Sequence, residues 1–391
     1  MLPLTDASAQ PLLTETQVSI FFVCFIGLVF LVSLAKKIYY RVRWHRRYYI
    51  VPRIRIKGIT NVAMTISMSI SIILLLTFVT SGLLGVVFRG YPGVRVLIEG
   101  ILIQLGGLLF GPFIGLLIGG ITDLLTIALT AGMFHPGFFI ISLAYGIVAG
   151  LFKTASIAFK NNNFKFSVFG SITLILITAL LIIYIYIQQY PNFKVQLFSH
   201  DFIFTKAALS ITLTSTLGIV LIVVWLISII LNTTNTKLSM LKIKYNILWD
   251  SHNHWYFRQI KKYGTRAAVK QARWYAKHYL KMNEAKKAIT FLENQVINIK
   301  NKNSWIDYFL QTTFLVFSVS AITNVFLVPY FDVTYSTFEF DYWLAIRTLS
   351  YPIISIVNLA VIFPIYKVVN GLVKYDYSDD RIENISKQYL E

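Results

Sequence analysis

Asp123 is the residue that most demands an explanation. It sits near the middle of an apolar run, residues 113–131, where inserting an aspartate into a bilayer costs about 2.5–3.5 kcal/mol. Such a carboxylate must face protein, water or a partner. It is either a structural group bonded to a neighbouring helix or a participant in substrate binding or gating. Glu99 follows Arg95 by one helical turn, so these two are placed to pair on a helix surface. The other chemistry-bearing residues gather near the ends of apolar runs: Phe88, Arg89, Tyr91, Arg95, Phe134, His135, Phe138, Asn324, Tyr330, Trp343 and Arg347. Aromatic rings with a few arginines suit a flat heterocycle bearing carboxylates. The same types also form interfacial belts with snorkelling arginines, and both readings stay open here. No catalytic set, cofactor or metal site is expected. His252 and His254 flank Asn253 with no cysteine or carboxylate at ligand spacing, which does not suit zinc. The stretch nearest to a phosphate-binding loop, 146–154, lacks the glycine-lysine pair.

The elements that must position these residues are membrane helices. Apolar residues make up 56% of the chain and charged ones 14%, more apolar surface than two soluble cores could hide. They fall into long runs, clearest at 18–35, 59–80, 113–131, 168–187 and 207–231, and about 20 such residues cross a hydrocarbon layer. Residues 97–131 are too long for one span, and Gly111-Pro112 interrupts them. Proline removes a helix hydrogen bond and clashes with the preceding turn, so the stretch divides into 97–110 and 113–131. Spans at 138–152, 306–328 and 344–373 complete the expectation: an all-α polytopic bundle of about nine spans.

Charge sets the orientation. Lys36, Lys37, Arg41, Arg43, Arg46, Arg47, Arg53, Arg55 and Lys57 fill the first loop with no acidic residue among them. Residues 232–304 carry 15 lysines and arginines against Asp250, Glu284 and Glu293. By the positive-inside rule both are cytoplasmic, which puts the N-terminus outside and the C-terminus inside. The loop holding Asp332, Glu339 and Asp341, without lysine or arginine, then falls outside. The start carries Asp6 and Glu15 rather than a basic region, so the first apolar run reads as a retained anchor. Abundant Ile, Lys, Asn, Tyr and Phe suggest an AT-rich genome, and a bacterial cell membrane is the expected location.

Gly107, Gly111, Gly115 and Gly119 recur every fourth residue, with Asp123 next in the series; Ser142, Gly146 and Gly150 form a shorter ladder. Glycines at this spacing share a helix face and let another backbone approach closely. The segment "GGLLFGPFIGLLIGGITDLL" from Gly106 and "GMFHPGFFIISLAYGIVAGLF" from Gly132 resembles the S components of energy-coupling-factor vitamin transporters. It is most similar to the folate-type members in its Gly111-Pro112 turn, the run from Gly115 to Asp123, and Pro136-Gly137-Phe138. "VRVLIEGILIQ" from Val94 is similar to the family's arginine-led second helix.

The resemblance implies a substrate-binding subunit, not an enzyme, within a six-helix bundle. It also implies partners: a membrane T component and two ATP-hydrolysing subunits. Ala63, Ser67 and Ser71 have the four-residue spacing through which such proteins contact the T component. Arg89, Tyr91, Arg95, Phe134, His135, Phe138, Asn324, Trp343 and Arg347 become candidates for binding folate or a related anionic heterocycle. Gly107, Gly111, Pro112, Gly115, Gly119, Asp123, Gly146 and Gly150 are candidates for the packed core. Residues 57–153 supply core helices one to four. Either the two helices in 154–234 or the two in 305–391 supply the last pair; "ITNVFLVPYFDV" from Ile322 and "WLAIRTLSYPI" from Trp343 favour the second. Residues 1–56 are then an added anchor with a basic segment, and 235–304 a basic helical insert. Ala268, Ala272, Tyr275, Tyr279 and Met282 give that insert an apolar stripe, which suits anionic lipid or a partner protein. Nucleic acid is not the expected partner, because no RNA-binding motif accompanies the charge.

The orientation is directly testable. In a Cys24→Ser background, a cysteine placed at Ser336 is expected to react with an impermeant maleimide on intact cells, and one at Ser251 only after permeabilisation. The reverse pattern overturns the topology.

Overall fold

The computed structural model describes residues 14–44, 46–48, 56–80, 92–130, 132–158, 163–190, 192–197, 200–231, 305–336, 338–377 and 382–384, with isolated positions between 233 and 295. Phe88, Arg89, Tyr91 and nearly all of the basic insert lie outside them. Among the described residues, nine helices are long and apolar enough to cross a membrane. They are α1 (Glu15–Trp44), α2 (Ile56–Val79), α3 (Pro92–Phe110), α4 (Pro112–Thr130), α5 (Pro136–Ala158), α6 (Asn163–Ile187), α7 (Lys206–Leu231), α8 (Trp305–Asp332) and α9 (Phe340–Tyr377). The protein is an all-α polytopic membrane bundle. Two short antiparallel ribbons accompany it: β1 (Arg46–Tyr48) with β4 (Ile382–Asn384), and the hairpin of β2 (Asn192–Leu197) with β3 (His200–Thr205).

The break between α3 and α4 has a local cause. Gly111 adopts φ 92°, a left-handed conformation that side chains with a Cβ resist. Its N–H closes α3 on the Gly107 carbonyl at 2.8 Å, and its carbonyl accepts from Gly115 at 2.8 Å. Pro112 then occupies the first position of α4, where a missing N–H costs nothing. The two helices are thus joined by a single residue.

The face that α4 buries inverts what a soluble helix does. Gly115, Gly119, Asp123, Thr122 and Thr126 point inward, whereas Leu117, Ile121, Leu124, Leu125 and Leu129 are exposed. In a bilayer the leucines meet lipid of their own polarity, so close packing and polar contact decide what faces the protein. The glycines make that packing possible. A Cβ on Gly107 or Gly115 would collide with the Gly146 carbonyl, one on Gly119 with the Ser142 carbonyl, and one on Gly150 with Pro112. The α3–α4–α5 unit is therefore closed backbone against backbone.

Other helices wrap this unit. α2 packs on α3 and α4, and α9 packs on α3. The middle of α8, Ala321–Leu327, is a π-helical segment that contacts α5, α6 and α9. Ends of the helices are tied side by side. Glu15 at the start of α1 meets His135 just before α5, and the Lys194 amide of the hairpin meets Asp341 at the start of α9. At their opposite ends α1 and α9 are followed by the paired strands β1 and β4. This sorting of helix ends agrees with an odd number of crossings.

The chain divides into two compact units, Met1–Ile222 with Gln311–Glu391, and Val223–Leu310. The insert expected at 235–304 falls within the second. There, Trp305 stacks on Phe309 at 6.5 Å between centroids.

Gly115→Leu is expected to abolish a monodisperse folded species, because overpacking a closed backbone contact costs about 1–3 kcal/mol or more. Gly27→Leu, on a face of α1 with nothing within 4 Å of the new Cβ, is expected to leave elution profile and thermal unfolding unchanged.

Candidate functional site

The close approach of α3 to α4 brings together three charged side chains. Arg95 in the first turn of α3 extends its Nη2 to Asp123 Oδ1 on α4 at 2.8 Å, and its Nε lies 3.2 Å from Glu99 Oε1 one turn along its own helix. All three side chains are at most 1% exposed. Gly132, just beyond α4, leaves room for the guanidinium, since a Cβ there would stand 2.9 Å from Arg95 Nη1. Thr126, one turn after Asp123, places its hydroxyl beside Glu99. Asp123 therefore has the helix-bridging bond that its position demands, and the i,i+4 pairing of Arg95 with Glu99 also forms.

A second pair lies on α8 and α9. Arg347 directs both Nε and Nη2 to Asp332 Oδ2 at 2.8 Å. The Trp343 ring lies 5.7 Å from its guanidinium carbon, and the indole N–H donates to Ser336. Sequence reasoning sees Arg347 but not Asp332, which enters it only as part of an acidic outer loop. Both arginines are engaged by carboxylates of the chain itself, Arg95 by Asp123 and Glu99 and Arg347 by Asp332.

Asn324 sits inside the π-helical segment and accepts a hydrogen bond from Tyr145 Oη of α5 at 2.8 Å, while its Nδ2 has no partner. Tyr145 packs over Gly100, where a Cβ would come within 2.6 Å of the ring. Tyr145 is missing from the sequence expectation because its neighbours read as a glycine ladder. π-Helical turns add one residue per turn and recur at functional positions. Here the extra residue turns Asn324 toward α5. Tyr330 bonds Tyr184 at 2.8 Å and packs on Phe340 at 4.8 Å.

The two phenylalanines expected to sandwich a heterocycle diverge. Phe138 is fully buried against Phe331 at 6.2 Å, whereas Phe134 is 53% exposed and pairs with Phe139. Ala63, Ser67 and Ser71 are all exposed along one face of α2. Among the described residues no group of three or more His, Cys, Asp and Glu side chains could hold a metal ion.

His135 joins the anchor α1 to the core. Its Nδ1 accepts from the Gly137 N–H at 3.1 Å, capping the start of α5, which leaves Nε2 to face Glu15 Oε1 at 3.2 Å. Burial holds this imidazole below its usual value, and the Glu15 carboxylate opposes that shift.

No protein-family model matches this sequence, and no solved structure matches it. An uncharacterized protein of Mycoplasma pneumoniae, described as the MG098 homolog, is 26% identical over 330 residues, which cover 82% of this chain and 62% of that protein. The chain thus spans less than two thirds of the relative's length.

The His135 geometry predicts an acid sensitivity. Because its folded value lies below the unfolded one of about 6.5, the unfolded chain binds the proton more readily, and stability falls as pH drops through that value. Thermal unfolding is expected at a lower temperature near pH 5.5 than near pH 7.5. His135→Asn, whose Oδ1 can replace Nδ1 as the cap, is expected to remove part of that difference. An identical pH profile in the variant contradicts the assignment.

Proposed function

We propose that this chain is the substrate-binding S component of an energy-coupling-factor importer in a bacterial plasma membrane, with its N-terminus outside and its C-terminus in the cytoplasm. The observation that carries the reading is the α3–α4–α5 unit. Its glycine ladders, glycine-proline turn and inward aspartate are the features that resemble the family, and all of them take part in one closed packing contact. The packing of α9 on α3 and of α8 on α5 supports α8 and α9 as the last pair of a six-helix core with α2–α5. The exposed row Ala63, Ser67 and Ser71 on α2 gives a T component a face that its own helices can approach closely.

In this role the chain hydrolyses nothing itself; it presents a vitamin to a T component driven by two ATP-hydrolysing subunits. A folate-like anion would reach Arg347 by displacing Asp332, and Arg95 by competing with Glu99 and Asp123. A vitamin without carboxylates needs no such exchange. The ion pairs therefore favour the latter class over folate.

A second reading has one observation in its favour. The charged cluster of Arg95, Glu99 and Asp123 inside the span also suits a secondary transporter coupled to an ion.

Affinity purification from the native membrane separates the two. The importer reading expects a T component and two ATPases to co-purify, with ATP hydrolysis by the complex and none by the isolated chain. Binding of riboflavin, thiamine, biotin and folate to the isolated chain then assigns the class. Tight folate binding that Arg347→Lys weakens by roughly ten- to a hundredfold, the worth of a charge-assisted contact, restores the anionic substrate. Robust ATPase activity of the chain alone, or ion-driven solute uptake by it in liposomes without partners, sinks the importer reading.

A further inference from the structure

Charge does not balance in the cluster of α3 and α4. One guanidinium, Arg95, faces two acids, Glu99 and Asp123, and all three are at most 1% exposed. Among the described residues, Arg95 is the one cation that acts on the two acids; Lys153 of α5 lies instead over the Tyr366 ring. On α8 and α9, Asp332 and Arg347 neutralise each other at 2.8 Å. From α5 comes Tyr145, whose hydroxyl is engaged by Asn324. Helix α2 carries its one charged residue, Lys57, in its first turn, and Glu15 of α1 is held by His135.

The contact between the two acids is the second observation. The carboxyl groups of Glu99 and Asp123 lie within hydrogen-bonding reach of each other. Asp123 Oδ2 and Arg95 Nη1 have no hydrogen-bond partner, and Glu99 has beside it only Arg95 Nε, at 3.2 Å from Oε1, and the Thr126 hydroxyl. Two ionised carboxylates have no donor to offer one another. Their contact becomes a bond only when one of them carries a proton, and that same proton brings the cluster to electroneutrality with Arg95. Like-charged acids held this close cannot both ionise cheaply, least of all within a bilayer.

We propose that Glu99 and Asp123 share one exchangeable proton, so that the Arg95–Glu99–Asp123 cluster is a proton-binding site inside the membrane. When the proton leaves, a net negative charge remains between α3 and α4. A charge buried there without a partner is strongly unfavourable, so its loss is coupled to entry of water or a cation at this contact. Protonation closes the α3–α4 contact and deprotonation loosens it. The site is independent of the importer reading and would serve either a coupled transporter or a gated binding subunit.

The test uses the full-length chain, purified in detergent and reconstituted in lipid. Infrared spectroscopy near pH 7 is expected to show a carbonyl band of a protonated, non-hydrated carboxylic acid. Glu99→Gln and Asp123→Asn each leave one cation facing one anion, so both are expected to fold and both to lose the band. Treatment with dicyclohexylcarbodiimide, which attacks protonated carboxyls in apolar surroundings, is expected to modify Glu99 or Asp123 in the wild type, more slowly as pH rises. Peptide mass mapping locates the adduct. A folded wild type with no such band and no adduct at either residue overturns the proposal, as does a band that persists in both variants. If neither variant folds, the location of the adduct in the wild type decides.

Discussion

A bilayer gives an ion no solvent, and the rest of this structure is arranged around that constraint. Arg95 must find anions within the protein, and Asp123 must find a cation; each is the other's answer across the α3–α4 contact at 2.8 Å. That bond forms only if two helix backbones run unusually close, which requires glycine along the facing surfaces. Leu117, Ile121, Leu124, Leu125 and Leu129 of α4, free to face lipid, are displaced outward in consequence. The same rule repeats at Arg347 and Asp332, between α8 and α9. Ion pairs of this kind contribute little net stability compared with apolar packing, but breaking one leaves a buried charge. They therefore specify which helices lie together more than they strengthen the assembly.

Much of the architecture was legible in the sequence because the physics of spanning a membrane is local. Length and apolarity alone identify a crossing segment, and the Gly111-Pro112 pair marks the division of 97–131 by mechanisms confined to two residues. The four-residue glycine spacing correctly indicated a face of close packing, since i and i+4 share a helix surface whatever the partner. What it could not identify was the partner backbone, and only the fold shows Gly115 against Gly146 and Gly119 against Ser142.

The candidate site was legible in its residues and not in its pairings. Arg95, Asp123, His135, Asn324 and Arg347 stand out because polar groups are scarce in such a chain. Their partners Tyr145 and Asp332 come from other helices, and no local signal ties Asp332 to Arg347 across 15 positions. The π-helical register at Asn324 is likewise set by packing against α5, α6 and α9. Phe134 and Phe138 show the limit from the other side: both are aromatic and near a helix entry, yet one faces outward and the other is fully buried. Four positions apart on a regular helix they would share a face. The irregular turn 132–135 before α5 breaks that rule.

The central claim is that Arg95 and Asp123 neutralise each other inside the bundle. A double-mutant cycle in reversible detergent denaturation measures it directly, using Arg95→Met, Asp123→Leu and the combined variant. Arg95→Met is expected to destabilise the fold by about 3–5 kcal/mol, because it strips the buried acids of their cation, and Asp123→Leu by less, because Arg95 keeps Glu99. The combined variant is expected to cost at least about 2 kcal/mol less than their sum, since Glu99 alone, with no second acid beside it, can remain protonated and uncharged. Strictly additive costs would contradict the account, showing that the two side chains do not depend on one another.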